Sequence, residues 1–206
     1  VGKHEIGYAR IERDHYPTPA WVIAALAEHI DFRNLTVWEP ACGDGRMAEA
    51  LKFAGCSRVY ATDIVNGYAG QDEILDFLSG LEPKLLPRSP DGTVTNPPFG
   101  KRGKLAEAFI EAGLRRIVGG GFLALLLPND FDSAKTRSRF FGDCPHFVGK
   151  VTLTRRVKWF EHPDKPERNP KENSAWFLWA RDALRVRQRP IILYSPSRED
   201  AQCSST

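Results

Sequence analysis

The chain has 206 residues, 42% of them hydrophobic, enough to bury a core as one domain. Its net charge is only +3, so a polyanionic partner cannot be inferred from the total and must be sought in how the charge is distributed. There is no apolar run near the roughly twenty residues that span a bilayer, no apolar leader and no C-x-x-C pair among the four cysteines. Membrane insertion, secretion, a disulfide framework and a metal site are therefore not expected, and a cytoplasmic location is.

Residues 1–13 are polar and read as a flexible lead-in. Tyr16-Pro17-Thr18-Pro19 then precedes a helix expected over 20–30, with Trp21, Val22, Ala25 and Leu26 at helical spacing. Thr18 reads as its N-cap and Pro19 as its first residue. Leu35-Thr36-Val37-Trp38-Glu39 reads as a buried strand entering Pro40-Ala41-Cys42-Gly43-Asp44-Gly45, followed by a helix over 46–54. Strand, Gly-x-Gly turn and helix is the arrangement that brings backbone N–H groups close to a cofactor. The third glycine of the dinucleotide fingerprint is missing, and so is the Lys-Ser/Thr of a P-loop. Both absences weaken a nicotinamide or nucleoside-triphosphate reading.

A second strand, residues 58–63, ends in Asp63, 24 residues after Glu39. An acid at the tip of the second strand can accept both hydroxyls of a ribose. In residues 72–78, Asp76 and Phe77 read either as nucleobase contacts or as a helix cap and a core ring. A proline-bearing loop over 82–92 leads to Thr93-Val94-Thr95 and then to Asn96-Pro97-Pro98-Phe99-Gly100. The two prolines exclude helix before them and remove two backbone donors. The corner presents an amide and a carbonyl, both acceptors suited to an amino group, beside an aromatic face suited to a planar substrate. Taken alone, it reads first as an ordinary turn.

Further on, the pattern predicts a helix over 105–118, a central strand over 122–127, a helix over 135–141 and strands over 148–159, 175–180 and 189–194. The charged loop 161–173 reads as mobile and the tail 195–206 as disordered. Alternating strands and helices indicate an α/β fold with a mainly parallel sheet and a single domain over 14–194. Glu39, Asp63, Asp76 and Asn96 all fall at carboxyl ends of predicted strands, the rim where such sheets bind ligands. The basic stretch 135–158, with Arg137, Arg139, Lys150, Arg155 and Arg156, reads either as a phosphate-tracking face or as a solvated one.

In their order and spacing, Tyr16-Pro17-Thr18-Pro19, Glu39 to Gly45, Ala61-Thr62-Asp63-Ile64 and Asn96-Pro97-Pro98-Phe99 make the chain resemble the class I S-adenosylmethionine-dependent methyltransferases. Within them it resembles the N6-adenine group. Ala175-Trp176-Phe177-Leu178-Trp179 is similar to the late strand of small phage and proteobacterial adenine methylases. The resemblance implies a Rossmann-like, mostly parallel seven-stranded sheet with an antiparallel edge strand, and S-adenosylmethionine as cofactor. It further implies that Tyr16, Thr18 and Pro19 cover the methionine end of the cofactor, which Glu39, Pro40, Ala41, Cys42 and Gly43 approach from below. Asp63 would hold the ribose, and Ile64, Asp76 and Phe77 would border the adenine. Asn96 and Pro97 would accept the two N6 hydrogens of the substrate adenine, with Pro98 stiffening the corner and Phe99 stacking on the extruded base.

DNA is the favoured acceptor, with RNA the close rival and a protein glutamine third. A non-catalytic cofactor-binding subunit is the reading from another class. Little sequence follows the last core strand, so target specificity is expected from loops or from a partner.

Overall fold

Alternation within one strand explains the layering. In the strand Phe122–Pro128, Ala124 and Leu126 join the apolar cluster on one face of the sheet, while Leu123, Leu125 and Leu127 join the cluster on the other. A strand buried on both faces has to be apolar at every position, and this one nearly is. The computed structural model describes residues 17–86, 89–117, 121–159 and 172–181, and the backbone of 191–194. The expected lead-in, Tyr16, most of the charged loop and the tail lie outside the described residues.

In chain order the strands are β1 (Thr36–Glu39), β2 (Arg58–Asp63), β3 (Glu73–Ile74), β4 (Gly92–Thr95), β5 (Phe122–Pro128), β6 (Phe147–Thr152), β7 (Ser174–Ala180) and β8 (Ile191–Tyr194). The α-helices are α1 (Ala20–Ala27), α2 (Arg46–Phe53) and α3 (Lys104–Arg116). Val22, Ile23 and Leu26 of α1 and Met47, Ala48 and Leu51 of α2 fill one face; Ala106, Phe109 and Ile110 of α3 fill the other. The result is a three-layer α/β/α sandwich around one sheet.

The strands lie in the order β3-β2-β1-β4-β5-β7-β6-β8. Pairing is parallel except at β7, which runs antiparallel to both β5 and β6. This is the expected mostly parallel Rossmann-like sheet. Its antiparallel strand sits inside the sheet, and β8 adds an eighth strand beside β6. β2 and β4 flank β1 on opposite sides, so the order reverses at β1 and a crevice opens above its carboxyl end.

Two expected elements differ. The strand expected to reach residue 159 stops at Thr152, because its partner β7 begins at Ser174, whose carbonyl takes the Leu153 N–H at 3.1 Å. Beyond that, Leu153 and Val157 turn into the core on the α1 side. Residues Lys135–Phe140 form 3-10 rather than α-helix, with Arg137 N–H on the Ala134 carbonyl at 2.9 Å and Phe141 N–H on that of Ser138 at 3.0 Å. Among the described residues no helix is long and apolar enough to cross a membrane.

Candidate active site

The glycine turn between β1 and α2 is tied to the tip of β2. Cys42 N–H donates to the Thr62 carbonyl at 3.0 Å, and Gly43 N–H donates to Asp63 Oδ2 at 2.9 Å. Asp63 Oδ1 accepts from Val65 N–H at 3.2 Å. A carboxylate offers about four lone-pair sites, so these two bonds leave Asp63 able to accept from hydroxyls as well. Gly45 begins α2 at φ +80°, and a Cβ there would lie 2.3 Å from the ring of Tyr68. Only glycine satisfies both the backbone and the space. Tyr68, on the loop after β2, closes over the turn and donates its hydroxyl to Glu49.

Glu39 ends β1 beneath this turn, only 1% exposed, and its Oε2 is buried with no hydrogen-bond partner among the described residues. Burial pushes its carboxyl well above the usual range, and the charges of Asp63 and Asp44 add to the effect. A buried carboxyl beside a glycine cradle is matched by a ligand that brings donors or positive charge. Burial likewise pushes the Cys42 thiol up to about 12, with Glu39 and Asp63 contributing.

Farther along the rim, Ile64 is 61% exposed. Asp76 caps a short 3-10 turn, Phe77–Ser79, accepting from Leu78 N–H at 2.8 Å. The Phe77 ring is 1% exposed, packed edge-on against Trp38 at 5.0 Å and tilted against Phe109 at 5.0 Å. It is a core ring, so a nucleobase at this position would meet the main chain rather than the face of Phe77.

The Asn96 corner leaves the carboxyl end of β4, the strand beside β1, so it stands on the same rim as the glycine turn. Asn96 Nδ2 donates to Thr18 Oγ1 at 3.2 Å, which tethers the amide to the entry of α1. Thr18 therefore does not cap α1. The helix starts at Ala20 with Pro19 as an N-cap that makes no side-chain bond, and the hydroxyl of Thr18 serves Asn96 instead. Pro97 is buried, and Pro98 and Phe99 are half-buried. The ring of Phe99 stands edge-to-face on Phe131, with centroids 5.7 Å apart and planes at 80°.

Phe131 is itself held. The Arg137 guanidinium lies 3.8 Å over its ring and donates through Nε to Glu107 Oε1 at 3.1 Å. Glu107 also takes Lys104 Nζ at 2.8 Å. Burial works against the Glu107 anion, but these two partners outweigh it and hold the carboxyl below its ordinary value.

The cations of the basic stretch are largely spoken for. Arg137 holds Glu107, Arg139 holds Glu111 at 2.7 Å and Lys150 holds Asp132 at 3.0 Å. Arg155 lies over Trp21 at 4.7 Å, and Arg156 bonds Asn173 at 3.0 Å. These contacts fasten the segment to the domain, while the Arg139 side chain stays 61% exposed.

Sequence reasoning missed Tyr68 and Phe131, and it named Arg137 only as one of the basic stretch. Two signals bore on them: Gly67 and Gly70 bracketing a tyrosine, and a phenylalanine directly after the Pro128-Asn129-Asp130 strand exit.

No protein-family model matches the chain, and no curated protein matches it. Solved structures do. A candidate RNA methyltransferase from Pyrococcus horikoshii matches at TM-score 0.62 and 11% identity over 85% of this chain and 91% of its own. A candidate class I S-adenosylmethionine-dependent methyltransferase from Listeria monocytogenes matches at 0.55 and 16% over 89% of this chain. The modification subunit of a candidate type I restriction enzyme from Vibrio vulnificus matches at 0.56 and 17% over 81%. The chain spans 66% of the Listeria protein and 44% of the Vibrio subunit. The chain has the Rossmann-like fold of the class I S-adenosylmethionine-dependent methyltransferases.

Proposed function

We propose that the protein transfers a methyl group from S-adenosylmethionine to the exocyclic N6 of adenine in DNA. The observation that carries this reading is the Asn96 amide, tethered by Thr18 at the carboxyl end of β4, on the same rim as the glycine turn that Asp63 holds in place. The turn at residues 40–45, the orphaned Glu39 carboxyl and Asp63 fit the cofactor, with Thr18 and Pro19 on its methionine side. Ile64, Asp76 and the main chain at Phe77 would border its adenine.

When bound, the cofactor supplies a methyl group already activated by a positive sulfur. The protein's task is then orientation. The lone pair of an aryl amino group is delocalised into the ring, which makes it a poor nucleophile. Asn96 Oδ1 and the Pro97 carbonyl would each accept one N6 hydrogen, which favours a more tetrahedral nitrogen with its lone pair directed at the crevice. Phe99 would stack on the base once it leaves the duplex. The half-buried edge of that ring is backed by Phe131, so stacking would not displace it.

RNA is the second reading, favoured by the near-complete coverage of the Pyrococcus protein, a candidate RNA methyltransferase. A pair of variants tests the assignment of roles. Asn96→Ala abolishes methyl transfer while leaving cofactor affinity within about twofold, because only an acceptor to the substrate is lost. Asp63→Ala weakens cofactor affinity first, measured by calorimetry. The opposite pattern would overturn the roles.

A further inference from the structure

The turn Lys101–Gly103 directly follows the acceptor corner, and its backbone is unusual. Arg102 has φ +56°, a left-handed conformation that a residue with a Cβ adopts at a cost, while its neighbours Gly100 and Gly103 take positive φ freely. The turn is held against the aromatic that backs Phe99. A Cβ on Gly103 would lie 2.9 Å from the Phe131 ring and 2.8 Å from Arg137 Nη2. Arg137 Nη2 donates to the Arg102 carbonyl at 3.0 Å. Phe99, Phe131, Arg137 and the main chain of Arg102 thus form one rigid block.

What this block displays is positive charge. Lys101 and Arg102 are exposed and make no ion pair among the described residues, unlike Arg137, Arg139 and Lys150. Lys104, one residue on, keeps its side chain 72% exposed while touching Glu107. A cation on a strained backbone, fixed beside an aromatic acceptor face and left without an internal partner, has an arrangement suited to an anion that accompanies the substrate ring. In a polynucleotide that anion is the phosphodiester next to the extruded base.

We propose that the Lys101–Gly103 turn is a phosphate strap, with Arg102 its principal contact, gripping the nucleic-acid backbone beside the acceptor corner. The inference rests on the reading of Asn96 to Phe99 as an adenine site and names the polymer feature that site would need.

The test uses the full chain, with unmethylated duplex DNA, its single strand and RNA of the same sequence as probes, followed by fluorescence anisotropy over a salt series. Arg102→Gly removes the cation and the backbone strain together, so Tm is expected to hold or rise and cofactor affinity to stay the same. Polynucleotide affinity should fall about tenfold near 0.1 M salt, and the slope of log affinity against log salt should shrink by about 1. Arg102→Lys should retain most of the binding. The three probes identify which polynucleotide the strap prefers.

If Arg102→Gly binds as tightly as wild type with the same slope, the strap is overturned, while methyl transfer by the wild type leaves the adenine reading standing. A wild type that binds no polynucleotide and labels only protein overturns both.

Discussion

Thr18 and Asn96, 78 positions apart, meet through a hydrogen bond of 3.2 Å from the asparagine amide to the threonine hydroxyl. An asparagine amide is nearly symmetric in shape but opposite in polarity across its two ends. The threonine hydroxyl can pair with either end, so the bond tethers the amide at the corner. Thr18→Val keeps the shape and deletes the bond, and kcat is expected to fall about tenfold as the amide loses its tether. Thr18→Ser should restore turnover, and any change in cofactor affinity should be smaller than the change in kcat. Steady-state kinetics with cofactor calorimetry check this, and equal loss in the Val and Ser variants would remove the tethering role.

The buried Glu39 makes stability depend on pH. Its carboxyl is raised in the folded chain from an unfolded value near 4.5, so the folded state holds the proton more tightly. Stability from this site is full below that value and is lost as pH rises from 4.5 through the folded pKa. Glu39→Gln should flatten that decline and stabilise the unliganded protein near pH 8 by at least about 1 kcal/mol, read from denaturant titrations. A cationic ligand over Glu39 favours the carboxylate, so cofactor binding should release a proton. Calorimetry in buffers of different ionisation enthalpy detects it, and a heat independent of buffer would contradict the placement.

Glu107 has the opposite sign. Its carboxyl is lowered on folding by Lys104 and Arg137, so its contribution is present above pH 4.5 and disappears as pH falls through the folded pKa. Glu107→Ala strands the guanidinium of Arg137, only 17% exposed, and is expected to cost about 2 kcal/mol at pH 7, with the loss vanishing in acid. Chemical denaturation at several pH values reads this directly. An equal loss at every pH would mean that packing, not charge, is what the residue supplies.

The thiol of Cys42, with a pKa of about 12, should be inert. At pH 8 roughly one molecule in ten thousand carries the thiolate, against roughly a quarter for a free cysteine. Iodoacetamide followed by peptide mapping should leave Cys42 unmodified in the native protein and label it in denaturant. Rapid native labelling would show that the glycine turn opens.

Much of this was legible in local sequence. β5 announces itself because a strand buried on both faces needs an unbroken apolar run, and the glycine turn because Gly43 and Gly45 follow a strand directly. Asp63 and Asn96 were legible by place, since the carboxyl end of a parallel strand is where a polar residue has a use. Thr18 was misread as a cap because threonine before proline is also the signature of a helix start, and nothing local reveals a partner just past β4. The basic stretch carried two readings, a phosphate-tracking face or a solvated one, and its ion pairs to Glu107 and Glu111 come into view only when α3 is brought against it. Phe77 offered two readings, and packing against Trp38 and Phe109, both distant in sequence, chose the core.

The central claim is that the Asn96 corner receives the amino group of adenine in DNA. Incubating the protein with tritiated S-adenosylmethionine and, separately, unmethylated DNA, bulk RNA and protein tests it most directly, with digestion of the labelled polymer to nucleosides. Label is expected in DNA, recovered as N6-methyldeoxyadenosine and absent with Asn96→Ala. Label confined to protein would contradict it.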